Sequence, residues 1–306
     1  MDTFIQQLFN GLTLGSVYAL VALGYTMVYG ILGLINFAHG DVVMIGAMVA
    51  MTVTQLLVGL LPGPLVVLIG FAVAALVCMA LGFGIERVAY RPLRRAPRLA
   101  PLITAIGVSM VLQQLAMIIW GRRYHPIPPL LPSATHDVLG AQVNELQLLI
   151  MAVAAITMMG LMLLINRTRL GRAMRATSEN PEIATLMGVD INRVISATFL
   201  IGSALAALAG VMVSAHYGVA HYSMGFLLGL KAFTAAVLGG IGNLGGAMVG
   251  GLLLGVIEAL GAGYIGDLTG GVFGSNYQDV FAFIVLIGVL VFRPSGLLGE
   301  KVAERA

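Results

Sequence analysis

Charge is what this sequence has least of. Asp, Glu, Lys and Arg make up 9% of 306 residues against a hydrophobic fraction of 59%, and the mean hydropathy is +1.00. That balance sets aside an ordinary soluble domain and places the chain among polytopic membrane proteins. Cysteine is nearly missing too. The single Cys78 excludes an intrachain disulfide and lies in an apolar run, where it reads as a small packing residue. Catalytic signatures are also missing. No GxxxxGK[ST] occurs, so the chain supplies no Walker A phosphate cradle, and there is no HExxH, GxSxG or cysteine pair with metal spacing. A membrane hydrolase therefore has no visible nucleophile or metal site, and the chain reads as non-catalytic with no cofactor or metal of its own. The start, MDTFIQQLFNG, lacks a basic n-region, so the first apolar run reads as a retained span rather than a signal peptide. The formal charge of +3 is read as fixing topology, not as binding nucleic acid.

What is present is a series of apolar runs at 8–33, 40–60, 64–86, 101–120, 146–166, 193–214, 225–242, 246–263 and 277–292. Each is long enough, or nearly so, to cross about 30 Å of hydrocarbon. The expectation is an all-α polytopic bundle forming a single transmembrane domain over 1–306, with eight or nine membrane segments. Parity is open. Nine spans with the C-terminus inside put the N-terminus outside, whereas one re-entrant or glycine-broken run leaves eight and moves the N-terminus inside.

Basic residues fall in blocks: Arg87, Arg91, Arg94, Arg95 and Arg98; then Arg167, Arg169, Arg172, Arg175 and Arg193; then Arg293, Lys301 and Arg305. By the positive-inside rule both loops and the tail face the cytoplasm. The stretch 121–145, polar and rich in proline, then forms an extracytoplasmic cap, with Arg122 and Arg123 as a minor exception.

The segment 167–192 is read as a cytoplasmic coupling loop. Its centre, GRAMRATSENPEIATLMG at 171–188, gathers Arg172, Arg175, Glu179 and Glu182 in a chain with few charges. Asn180-Pro181-Glu182 is a good helix start: Asn caps free N–H groups, Pro suits the first helical position, and Glu suits the positive end of the dipole. Gly188 is a natural terminator. Ile183, Leu186 and Met187 share one face of the intervening helix. A helix of about seven residues is unstable alone, so it needs a surface to dock on, either a protein partner or the membrane interface.

Glu182-Ile183-Ala184-Thr185-Leu186-Met187-Gly188 resembles the EAAxxxG signature of ABC-importer permeases, with Ile in place of the first Ala. Three further stretches, GLINFAHGD at 33–41, IERVAYRPLR at 85–94 and KAFTAAVLGGIG at 231–242, resemble LivH-type permeases of high-affinity branched-chain amino-acid ABC importers. The likeness runs from about residue 5 to about 299.

This resemblance implies a multi-pass subunit of the bacterial inner membrane. It implies a heterodimeric partnership with a LivM-like second permease, and with two cytoplasmic ATPases that hold the ATP and Mg. A periplasmic binding protein would deliver the substrate. It also implies that the helix at 181–187 inserts into a groove of the ATPase, with Arg172, Arg175, Glu179, Asn180 and Glu182 orienting the contact. Ile183, Ala184, Leu186 and Met187, closed by Gly188, would supply its apolar part. Related importers carry urea or short-chain amides, which leaves that substrate class as an alternative. A stand-alone secondary transporter is the other, and it would need several intramembrane carboxylates.

Polar groups within apolar runs suggest a translocation pathway. Asn36, His39 and Asp41 interrupt the first two runs, and Asn243 lies in the Gly239–Gly246 break between two later ones. Such breaks point to discontinuous helices, although tight turns without substrate contact fit the pattern equally. Lys231 and Glu258 sit inside apolar runs, where a charge costs roughly 2.5–3.5 kcal/mol. They are expected to pair with each other, or Glu258 with a group near Asn276 and Asp279, as a structural ion pair in preference to a substrate contact.

Overall fold

The computed structural model describes residues 2–94, 96–97, 99–131, 133–138, 140–268 and 277–299. Arg95, Arg98, Asn276, Lys301 and Arg305 lie outside these. The chain is helical almost throughout, as its apolar runs require. A backbone in lipid has no water to bond, so its N–H and C=O groups pair within the segment.

The helices are α1 (Asp2–Leu32), α2 (His39–Leu57), α3 (Gly63–Ile85), α4 (Leu99–Trp120), α5 (Glu145–Arg167), α6 (Arg169–Glu179), α7 (Pro181–Leu186), α8 (Ile191–Tyr217), α9 (Met224–Gly239), α10 (Leu244–Leu268) and α11 (Gln278–Phe292). Among the described residues seven of them (α1, α2, α3, α4, α5, α8 and α10) are long and apolar enough to cross a membrane, and α9 and α11 contribute shorter apolar helices. The nine apolar runs of the sequence thus each fall on a helix.

Helix α1 is the axis of the bundle. Residues 16–28 are buried on every side, the pattern of a helix enclosed by others rather than facing lipid. Against it α10 runs antiparallel along a seam of small residues. A Cβ on Gly15 would stand 2.8 Å from Leu252 Cα, and one on Gly11 would stand 2.6 Å from Val256 Cα. Lipid tails are as apolar as the side chains, so close backbone approach through glycine is what holds such a pair.

The two ends of the bundle differ in chemistry. At one end the cap pairs β1 (His125–Pro126) with β4 (Val219–Ala220), and β2 (Thr135–Val138) with β3 (Ala141–Asn144), both antiparallel. Gln6 on α1 bonds this cap twice, accepting from Gln142 N at 2.8 Å and donating to Gln142 O at 3.1 Å. Gln147 donates to Asn10 at 3.0 Å, and the indole of Trp120 donates to Thr52 at 2.8 Å. The N-terminus of α1 is therefore at the cap end. At the other end the tail pairs with the α9–α10 turn, Leu297 N to Leu238 O and Leu298 N to Gly239 O, each at 2.9 Å. That end carries Arg94, Arg175 and Arg193. The start of α1 and the last described residues thus lie at opposite ends of the bundle, which is the odd parity of the two left open by the sequence.

The segment 33–38 departs from a simple turn. It folds back so that α2 begins beside Gly24, where a Cβ would collide with the His39 ring. Gly24 lies eight residues before the end of α1, or about 12 Å along the axis. The start of α9 meets the start of α2 there: a Cβ on Gly229 would stand 2.9 Å from Gly40 Cα. Both helices therefore begin within the bundle. The Gly239–Gly246 break is the other kind of feature, a tight turn with Gly240 and Gly242 at φ 108° and 96°. The interruption that matches 33–38 is thus the start of α9 at Met224, not the Gly239–Gly246 turn.

Candidate functional site

Two regions gather the residues with chemistry. One is the α6–α7 elbow at the arginine-rich end; the other is a set of charged and polar groups buried among the helices.

The elbow is built from local capping. Thr168 accepts from Gly171 N at 3.1 Å to start α6. Asn180 ends α6 in an extended conformation, and its Oδ1 accepts from both Glu182 N and Ile183 N at 3.0 Å to start α7. At the far end Gly188 adopts φ 86°. Its N–H bonds Thr185 O at 2.9 Å and Val189 N bonds Ala184 O at 3.0 Å, the pair of bonds that defines a Schellman stop. Six residues are thus held helical by caps at both ends.

Only Ala184 of α7 is buried, at 3% exposure. Ile183, Leu186 and Met187 stand out at 57%, 85% and 81%. Arg172, Glu179 and Glu182 are exposed around them. Arg175 behaves differently. Its guanidinium turns back to donate to the Ile165 carbonyl and, at 3.4 Å, to Asn166 Oδ1. It closes the C-terminal end of α5, where unpaired carbonyls favour a cation.

Among the buried groups, Lys231 of α9 lies 2.5 Å from Glu258 Oε1 on α10 and 2.7 Å from Asp279 Oδ1 on α11. Glu258 is 2% exposed. The Lys231–Glu258 pair is therefore the arrangement of the two foreseen that is present, with Asp279 joining it through the same ammonium. Asn243 accepts from Gly246 N at 3.0 Å and donates to Leu298 O at 2.9 Å, so it caps α10 and ties down the tail. Asn36, His39 and Asp41 come together at the fold-back, each buried, and Asp41 faces Ser109 and Gln113 of α4. Glu258 is not alone among the acidic residues deep in the bundle. Asp41 at 1% and Glu86 at 0% exposure are as deeply placed.

Glu86 and its partners were not singled out as site residues from the sequence. The Arg94 guanidinium bonds Glu86 Oε1, and Ser196 donates to Glu86 Oε2 at 2.9 Å. Burial pulls the Arg94 pKa down from the ordinary arginine value, and the charge of Glu86 opposes that. The usable signal was an acidic residue at the end of the third apolar run, eight positions before an arginine.

The comparisons with known proteins agree on a family. A family model described as branched-chain amino acid transport system / permease component matches residues 7–290. The chain is 51% identical to the high-affinity branched-chain amino acid transport system permease protein BraD of Pseudomonas aeruginosa, over 99% of this chain and 98% of that one. It is 45% identical to the permease protein LivH of Escherichia coli K12, over 99% and 97%. A probable branched-chain amino acid transport permease protein of Methanocaldococcus jannaschii is 27% identical over 93% and 89%.

Proposed function

The chain belongs to the family of branched-chain amino acid transport permease components, and on that premise we propose that it is the membrane-spanning permease subunit of an ABC importer for branched-chain amino acids. It works in the bacterial inner membrane as a heterodimer with a second, LivM-like permease. Two cytoplasmic ATPases hold the ATP and Mg, and a periplasmic protein delivers the substrate at the cap end. The chain itself catalyses nothing and needs no cofactor. The names of the BraD and LivH relatives favour branched-chain amino acids over urea or short-chain amides.

The observation that carries the coupling is α7. Burying an apolar side chain is worth about 1.5–3 kcal/mol, so Ile183, Leu186 and Met187 at the tip of a doubly capped helix form a strong docking surface for an apolar groove. The arginine-rich end is assigned to the cytoplasm by the positive-inside rule, which puts α7 where the ATPase would be. Arg172, Glu179 and Glu182 ring the apolar face and would set its orientation. Arg175 holds α6 on α5, so a push on α7 passes to the bundle instead of bending the elbow. Asn36, His39 and Asp41 are the groups assigned to the translocation pathway, and the Lys231 cluster is an ion pair that joins α9, α10 and α11.

Co-purification with the ATPase subunits tests this. The unaltered chain should capture them, and Leu186→Asp with Met187→Asp should lose capture while remaining in the membrane at normal level. Full capture by that double variant would overturn the assignment of α7.

A further inference from the structure

The stretch from Glu86 to Arg94 lies outside the docking helix, yet its side chains join that helix's neighbourhood to the fold-back at 33–38. Helix α7 runs into α8 through Gly188–Asp190, and Asp190 caps α8 by accepting from Arg193 N at 3.2 Å. A displacement of α7 therefore moves the first turns of α8. From those turns Asn192 accepts from Arg94 at 2.7 Å and Ser196 donates to Glu86 at 2.9 Å. The Arg94 guanidinium bonds the other oxygen of Glu86, so both carboxylate oxygens of this fully buried group are held.

One turn further on, Tyr90 is 1% exposed. Its ring packs on Phe199 of α8 with centroids 5.3 Å apart. Its hydroxyl donates toward Ile35 O and Asn36 Oδ1, each at 3.2 Å. Asn36 Oδ1 also accepts from Ala38 N at 3.2 Å, which holds the turn that starts α2. The turn 86–90 thus carries two sets of contacts, Glu86 to Arg94 and α8 at one end and Tyr90 to the fold-back at the other, joined by its backbone.

The backbone between these two sets of contacts is not regular α-helix. Glu86–Tyr90 is wound as a π-helix, a form found mostly as single turns at functional sites. Removing the extra residue from that turn rotates what lies beyond it by about 100° and takes Tyr90 off Asn36. Coupling between distant sites needs a segment with two discrete arrangements that both sites can bias. We propose that Glu86, Tyr90 and Arg94 are positioning residues that carry movement of α7 and the start of α8 to the 33–38 fold-back, and so to Asn36 and His39. This rests on α7 being the ATPase docking helix.

The test uses the reconstituted complex with Cys78→Ala and Leu34→Cys, so that maleimide labelling reports on the fold-back with and without Mg-ATP. Tyr90→Phe removes one hydroxyl and keeps the ring on Phe199; Ser196→Ala removes one bond to Glu86. Both should retain ATPase capture and ATP hydrolysis. In Tyr90→Phe the ATP-dependent change in labelling should vanish, and leucine moved per ATP should fall roughly three- to tenfold, the effect of one hydrogen bond. Ser196→Ala should fall in the same direction.

Failure of the unaltered chain to capture the ATPase overturns the docking assignment and the relay with it. Normal capture with an ATP-insensitive reporter, or with Tyr90→Phe unchanged in both readouts, overturns the relay alone.

Discussion

Lys231 and Glu258 meet at 2.5 Å between α9 and α10, and Asp279 closes on the same ammonium from α11 at 2.7 Å. One cation therefore ties three helices together. A buried pair is not strongly stabilising compared with apolar residues of the same size, but removing one partner strands the other.

Lys231→Met should accordingly cost about 3–5 kcal/mol, read as a lower thermal midpoint of the purified chain and reduced membrane level. Adding Glu258→Gln and Asp279→Asn should recover most of that loss. Normal assembly of Lys231→Met with transport abolished would instead place Lys231 on the substrate path.

Asn180→Ala removes the acceptor for two N–H groups of a helix that has six residues. The loss of such a cap is about 1 kcal/mol, which corresponds to roughly a fivefold weaker affinity for the ATPase in a titration. Asn180→Asp, which keeps an acceptor, should stay near the unaltered value.

Gly188 has open space where a Cβ would go, so its constraint is the backbone at φ 86°. Gly188→Val should weaken ATPase affinity by about 1–2 kcal/mol through strain alone. Gly188→Asn, a residue that tolerates this conformation, should lose much less.

The α1–α10 seam makes a contrasting prediction. On Gly251 a side chain would meet the backbone of Ala19, while on Gly107 nothing lies within 4 Å. Gly251→Leu should prevent accumulation of folded protein, and Gly107→Leu, facing outward on α4, should leave level and melting temperature unchanged.

The positions of the helices were legible because hydrocarbon imposes one period and one length on every segment. The α7 caps were equally legible, since Asn180, Pro181 and Gly188 act on their own neighbours in sequence. Contacts that depend on distant parts of the chain were not. Arg175 lies among the exposed charges of its loop, yet it folds onto α5; no local pattern distinguishes it from Arg172. Glu86 looked like the end of a span, and only the approach of Ser196, 110 positions away, makes it a buried junction. The fold-back of 33–38 was visible as an interruption. The start of α9 at Met224 was not legible as a break within the bundle, because His221, Tyr222 and Ser223 before it look like an ordinary polar end of a span.

On the proposed function, energy reaches this chain from an ATPase through α7. Uptake of labelled leucine by proteoliposomes holding the complete complex, with ATP on the α7 side, measures it most directly. Uptake should require ATP and disappear in the Leu186→Asp, Met187→Asp chain. Uptake by liposomes containing this chain alone, driven by an ion gradient and indifferent to those substitutions, would contradict it.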